Sequence, residues 1–170
     1  IGGNSKIFEG VTISSDISVA CDSEVRFSLT GAAMCGAPLF SEGGEITLPL
    51  KSEGLESSIL RLGQALSAFG KVGIGCAPES EASAAADILS GGVRFGGGSA
   101  YIFGGSFPGC AAFAAYFYGL DAAVFIGLDD SNLYLSFYDR YSLPFSRYQQ
   151  RKIEYPSPVK RAGAGEKAYL

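Results

Sequence analysis

Hydrophobic positions along the chain form short continuous runs that are separated by longer stretches with helical spacing. Three runs bounded by turn residues predict buried strands: Lys71–Gly75, Ala100–Phe103 and Ala122–Ile126. Glu45–Leu50 predicts a further strand, and the proline near its end favours an edge position or a strand terminus, because proline cannot donate to a strand ladder. Leu133–Tyr138 predicts a strand that turns back as an antiparallel neighbour.

The intervening stretches have the spacing of helices. Gly70 is placed to stop the first helix, a second opens at Pro78–Glu81 and nears its end at Gly91-Gly92, and a third starts at Pro108 and ends at Gly119. One face of the first helix consists of Leu55, Ile59, Leu62, Leu66 and Phe69.

Alternation of strands and helices with short loops indicates right-handed crossovers. We therefore predict an α/β domain over residues 45–142, layered, with a mixed, mainly parallel sheet and helices on both faces. Residues 1–44 are expected to form a β-rich extension packed on this domain, with strands within Ser5–Ile13 and Glu24–Leu29. Residues 143–170 are expected to form a short helix and an exposed tail.

The composition excludes several classes of catalytic site. The chain contains no histidine among its 170 residues, which removes Ser-His-Asp and Cys-His pairs and histidine-based metal sites. Its four cysteines, Cys21, Cys35, Cys76 and Cys110, show no C-x-x-C spacing, which removes zinc and thioredoxin-like sites. We expect reduced, buried cysteines in a cytoplasmic protein.

Charge is distributed unevenly along the chain. Up to Ser146 there are 15 acidic against 7 basic residues, and from Arg147 onward 2 against 6. An acidic body argues against nucleic acid as a partner, because phosphate contacts need a clustered basic patch. A membrane is not expected as a partner either, since the longest apolar stretch, Cys110–Phe117, is too short to span a bilayer.

Two stretches together resemble the first domain of the α-D-phosphohexomutases, the phosphoglucomutases and phosphomannomutases. They read LRLGQALSAFGKVGIG and ESEASAAADILSGGVRFGGGSAYIFGGSFPGCAAFAAYFYGLDAAVFIG. The similarity covers about Leu55–Ile126, with a looser continuation to Asp139, and rests on element order, loop lengths and small residues. It implies an isomerase ancestry in carbohydrate metabolism, with a sugar phosphate as ligand.

The chain departs from that family at its catalytic loop. The family has a Thr-Ala-Ser-His-Asn-Pro type of loop, whose serine carries the transferred phosphate; here Asp129 falls at the serine's place and Asp130 at the histidine's. The family's Gly-Arg-Asp loop is replaced by Gly75-Cys76-Ala77-Pro78, without the arginine. Phosphoryl transfer needs metal, Arg or Lys to neutralise phosphate oxygens. We therefore predict a degenerate domain that is inactive alone, a pseudoenzyme.

Two loops supply the candidate site residues. Asp129 and Ser131 are the candidate catalytic residues, and Asp130 and Asn132 candidate ligand-binding residues, because they follow a buried strand at the carboxyl edge of the sheet. Hard oxygen ligands at this spacing could take Mg²⁺, and the alternative is a polar turn. Gly104-Gly105-Ser106 precedes a helix N-terminus, which can receive an anion, and the alternative is a set of turn glycines.

Three functions remain open on these grounds. The first is the inactive domain, which binds a sugar phosphate or a partner protein. The second is the first domain of an active multidomain phosphohexomutase, in which Asp129 or Ser131 still works. The third is a structural assembly module that uses an aromatic stretch as a core or as a partner-facing surface. The aromatic side chains of that stretch are Tyr134, Phe137, Tyr138, Tyr141, Phe145 and Tyr148.

Overall fold

The computed structural model describes residues 6–7, 24–25, 39–104, 107–156 and 163–170. The chain divides into two compact units, Ile1–Leu39 and Phe40–Leu170. In the first unit, β1 (Lys6–Ile7) pairs in parallel with β2 (Glu24–Val25). The other residues of the two strands predicted there lie outside the described part of the chain.

The second unit contains every strand and helix that the sequence predicts between Glu45 and Glu154. In chain order its described elements are β3 (Glu45–Pro49), α1 (Leu55–Leu66), a 3₁₀ turn (Ser67–Phe69), β4 (Lys71–Cys76), α2 (Ser80–Phe95), β5 (Ser99–Gly104), α3 (Pro108–Phe117), β6 (Ala122–Asp129), β7 (Asn132–Asp139), α4 (Arg147–Glu154) and β8 (Lys167–Tyr169).

The described strands of this unit form one sheet in the order β3-β7-β6-β4-β5-β8. Strands β6, β4, β5 and β8 run parallel to one another. Strand β7 pairs antiparallel with β6, and β3 pairs antiparallel with β7 at the edge of the sheet. The predicted α/β class with a mixed, mainly parallel sheet is confirmed. The antiparallel return of β7 and the edge position of β3 are confirmed as well.

Helices cover both faces of the sheet. The connection through α2 leads from β4 to β5, and the connection through α3 leads from β5 back across β4 to β6. Because parallel crossovers are right-handed, these opposite directions place α2 and α3 on opposite faces. A Cβ at Gly73 of β4 would press on Leu120, three residues after the end of α3, and on Phe103 of β5. The glycine therefore leaves room for large side chains on the α3 face.

Local signals explain several helix ends. Pro108 is at the first position of α3, and Gly70, at φ 95°, ends the turn that follows α1. Ser146 caps α4 in a capping box with Gln149. Gly91-Gly92 lie near the end of α2, as predicted, and the helix continues to Phe95. None of the described helices is both long and apolar enough to cross a membrane.

The predicted aromatic stretch divides between core and surface. Phe137 and Phe145 are buried with ring centroids 5.7 Å apart, and Phe40 lies edge-on to Phe137 at 5.1 Å. Tyr141 and Tyr148 are exposed. Phe137 is buried because strand residues two positions apart share a face, and Phe137 lies on the buried face of β7 with Leu133 and Leu135.

The chain end carries a further strand where the sequence leads us to expect an exposed tail. Strand β8 pairs in parallel with β5, and the N–H of Ala100 donates to the carbonyl of Glu166 at 2.9 Å. Lys167 forms an ion pair with Asp87 of α2 at 3.2 Å. Residues 163–170 therefore extend the sheet beyond β5.

Candidate functional site

The segment that holds most candidate site residues is the tip of a tight hairpin. Strand β6 extends beyond the end of β4. The last residue of β4, Cys76, pairs with Ile126, whereas β6 runs on to Asp129. These three extra residues reach about 10 Å further at ~3.3 Å per residue. Asp129 pairs with Asn132 of β7, which leaves only Asp130 and Ser131 in the turn.

Backbone contacts hold this turn in place. Asp130 adopts φ 46°, a left-handed conformation that aspartate tolerates better than most residues. The carbonyl of Ser131 accepts a hydrogen bond from the N–H of Leu50 at 2.9 Å, which ties the turn to the end of β3. The side chains of Asp130 and Ser131 are exposed.

The hairpin borders an open concavity of about 450 Å³ on the outer strands of the sheet. The concavity results from the register of three strands, in which Thr47 of β3, Tyr134 of β7 and Gly127 of β6 are direct neighbours across the sheet. A Cβ at Gly127 would collide with the Tyr134 ring, so the ring lies over the glycine. The lining residues are Glu45, Thr47, Leu128, Asp129, Asn132 and Tyr134.

Negative charge dominates this concavity. Glu45 and Asp129 both line it, and none of its lining residues is Lys or Arg. Glu45 accepts a hydrogen bond from the hydroxyl of Ser136 at 2.7 Å. Burial, followed by the charge of Glu45, raises the pKa of the nearby Tyr138 hydroxyl. The concavity can accept hydrogen bonds from hydroxyl groups or attract a cation, and it repels an anion that arrives without one.

The loop after β4 is also unsuited to a phosphate. The N–H of Ala77 is bonded to the carbonyl of Ile126 at 2.8 Å. Burial raises the pKa of the half-buried Cys76 thiol, and the carboxylates of Asp87 and Glu79 raise it further. The thiol is therefore protonated at neutral pH. The residues Cys21 and Cys35, expected to be buried, lie outside the described residues.

Gly104, the described residue of the glycine-rich candidate loop, lies at a different concavity, of about 500 Å³. Gly104 lines it together with Phe103, Phe107, Phe113 and other largely apolar residues. Gly105 and Ser106 lie outside the described residues. The structure thus brings Asp129 and Asn132 together and sets Gly104 against another surface. The catalytic and ligand-binding roles of all these residues remain predictions.

No preformed metal cluster is present in the described ranges. Within residues 39–104, 107–156 and 163–170, no three Asp, Glu or Cys side chains converge as ligands for a metal ion. A Mg²⁺ ion at the hairpin would have to take most of its ligands from water and from a bound phosphate, which is an arrangement that Mg²⁺ often adopts.

Sequence reasoning named Asp129 and Asn132 as site residues but missed the other four residues that line the first concavity. Glu45, Thr47 and Tyr134 carry no motif, although alternation with the buried Ile46 on β3 indicates that Glu45 and Thr47 share one face. What the sequence lacks is the strand pairing that places this face beside Asp129. Only the register of three strands reveals the site.

Known proteins match this chain in structure but not in sequence. No protein-family model matches the chain, and no curated protein matches it in sequence. A protein from Thermus thermophilus described as a phosphomannomutase matches in structure with a TM-score of 0.64 at 21% identity, over 79% of this chain and 33% of that one. A phosphoglucomutase/phosphomannomutase family protein from Burkholderia thailandensis matches with a TM-score of 0.57 at 14% identity, over 74% and 31%.

The chain therefore has the fold found in these phosphomannomutase and phosphoglucomutase structures, and it spans about a third of their length.

Proposed function

We propose that this chain is a phosphoglucomutase- or phosphomannomutase-like domain that does not catalyse the mutase reaction alone. It holds a sugar phosphate through the sugar's hydroxyl groups or through a bridging Mg²⁺. The observation that carries the proposal is the two-residue turn between Asp129 and Asn132. In the family that the sequence resembles, the catalytic serine loop follows this strand. Here the two-residue turn occupies that position, and Asp129 takes the place of the serine that would carry the phosphate.

Electrostatics supports the loss of the reaction. Transfer of a phosphoryl group depends on cations that neutralise its oxygens. The concavity beside the hairpin is lined by two carboxylates and by no cation. The carboxylates of Asp87 and Glu79 act on the Cys76 thiol at the end of β4, and the loop that follows has no arginine. Ser131 is exposed, and the chain has no histidine that could act as its base.

The direct test is a mutase assay with the purified chain. We expect the conversion of glucose 1-phosphate to glucose 6-phosphate to proceed at the rate of a blank, with or without Mg²⁺. Asp129→Ala and Ser131→Ala should leave this rate unchanged. Turnover well above the blank that either substitution abolishes would show that the domain is active and that the argument from the hairpin is wrong.

A second candidate is that the chain works as the first domain of an active multidomain phosphohexomutase, with Asp129 or Ser131 in the reaction. The observation that favours it is the coverage, since about two thirds of each matched structure lies beyond the common fold. The full-length sequence of the parent gene discriminates between the two. Several hundred further residues with an aspartate-rich metal loop would support the active enzyme.

A further inference from the structure

Helix α3 has apolar residues on its outer side as well as on its inner side. Its sequence, PGCAAFAAYF, contains no charged residue. The inner side consists of small residues, and Ala111, Ala114 and Ala115 are buried. Phe113, Tyr116 and Phe117 are exposed on the outer side. A helix that is apolar on all sides is normally covered on all sides, so the outer side of α3 needs an explanation.

The exposed side chains form an ordered aromatic face, defined here as Phe107, Phe113, Tyr116, Phe117 and Tyr118. Their exposed fractions range from 47% to 68%. Phe113 stacks on Phe117 with centroids 5.2 Å apart, and Phe117 meets Tyr118 edge-on at 5.0 Å. At roughly 200 Å² for each aromatic side chain, this face exposes on the order of 600 Å². That area is at the upper end for a typical monomer and close to the ~800 Å² that each partner buries in a stable complex.

The aromatic face also contains a matching recess. The concavity of about 500 Å³ is lined by Phe107, Phe113 and Tyr118 of this face, and also by Phe103 and Leu170. The ring of Phe117, 64% exposed, projects beside it. A projecting ring and a recess on one surface suit a two-fold contact, in which each copy inserts the same residue into the same site of the other.

We propose that the aromatic face is a dimer interface between two copies of this chain. Two copies of net charge −4 repel each other overall, so they associate most readily through a surface without charge. Helix α3 is such a surface. In this dimer, Phe117 of each copy packs against the recess of the other.

The test is the oligomeric state of the full chain, measured by sedimentation equilibrium from about 1 to about 200 µM. We expect a dimer with a dissociation constant on the order of micromolar, as for interfaces at the small end of the range. Phe117→Glu should raise that constant at least ~10-fold, because it places a charge at the centre of the contact. Tyr155→Glu is the matched control, since Tyr155 is also 64% exposed but lies outside α3.

Further readouts keep the proposal testable if Phe117→Glu does not fold. Circular dichroism checks each variant, and Tyr116→Glu changes the same face at another exposed ring. In the unmodified chain, NMR signals of Phe113, Phe117 and Tyr118 should shift as the protein is diluted. A monomer at all concentrations would overturn the proposal. So would a dimer that both α3 substitutions leave intact, or one that Tyr155→Glu disrupts equally.

Discussion

At the scale of single residues, two glycines determine how closely the first two helices pack. A Cβ at Gly63 of α1 would collide with the carbonyl of Leu89, and a Cβ at Gly92 of α2 with the carbonyl of Leu60. Each glycine also lies against the other's backbone, so the helices touch directly at this point. This contact explains why α2 continues through Gly91-Gly92, although glycine is a poor helix former.

Neighbouring glycines in α2 should therefore respond in opposite ways to the same substitution. Gly92→Ala forces the helices apart and should lower the free energy of unfolding by about 1–3 kcal/mol. Gly91→Ala is the control: nothing lies within 4 Å of a Cβ there, so the gain in helix propensity should stabilise by about 0.5–1 kcal/mol. Urea unfolding measures both. Equal effects of the two substitutions would contradict the packing account.

At the scale of elements, β8 depends on a close approach of backbones. A Cβ at Gly165 would collide with the carbonyl of Gly98, just before β5. Next to this contact, the N–H of Gly165 donates to the carbonyl of Arg94 at 3.0 Å, and the Nε of Arg94 donates to the carbonyl of Gly165 at 3.3 Å. The chain is therefore fixed to the end of α2 before β8 begins.

Gly165→Ala should detach β8 while the rest of the sheet persists. The amide of Ala100 loses its acceptor, the carbonyl of Glu166, so its hydrogen exchange should become clearly faster. The amide of Ile74 is the internal control, because β4 lies inside the sheet between β6 and β5. Faster exchange at Ala100 alone supports local release. Unchanged exchange at Ala100 would show that β8 tolerates the side chain.

At the scale of the whole molecule, charge selects the ligands that the hairpin concavity can accept. Glu45 and Asp129 line it, and up to Ser146 the chain carries 15 acidic against 7 basic residues. An anion therefore meets repulsion at the site, and the negative net charge of the chain adds to it. The same negative charges attract hydroxyl donors and divalent cations.

A titration followed by amide NMR shifts tests this selection. Inorganic phosphate alone should leave Asp129–Asn132 and Tyr134 unshifted, whereas glucose 6-phosphate with Mg²⁺ should shift them. Asp129→Asn should weaken the Mg²⁺-dependent binding by several-fold, because it removes a cation ligand. Glu56→Gln, at an exposed glutamate of α1, is the control. Shifts confined to Arg147–Leu170 would show that the cations of the C-terminal segment bind the ligand.

Local sequence was sufficient to predict most of the architecture. The runs at Lys71–Gly75, Ala100–Phe103 and Ala122–Ile126 predicted the parallel strands, since a short apolar run between turn residues has few other stable conformations. Pro108 predicted the start of α3 through its fixed φ. These signals depend on residues close together in the chain.

Tertiary structure decided the remaining features, because these depend on contacts between residues that are far apart in the sequence. Glu45 and Ser136 are 91 residues apart, and only strand register brings that carboxylate to the hydroxyl and the concavity beside Asp129. Gly92 stays helical through contact with Gly63 of another helix. The chain end becomes a strand because β5 offers it an open edge. Spacing along one chain carries no information on such pairings, since their energy arises only when both partners are in place.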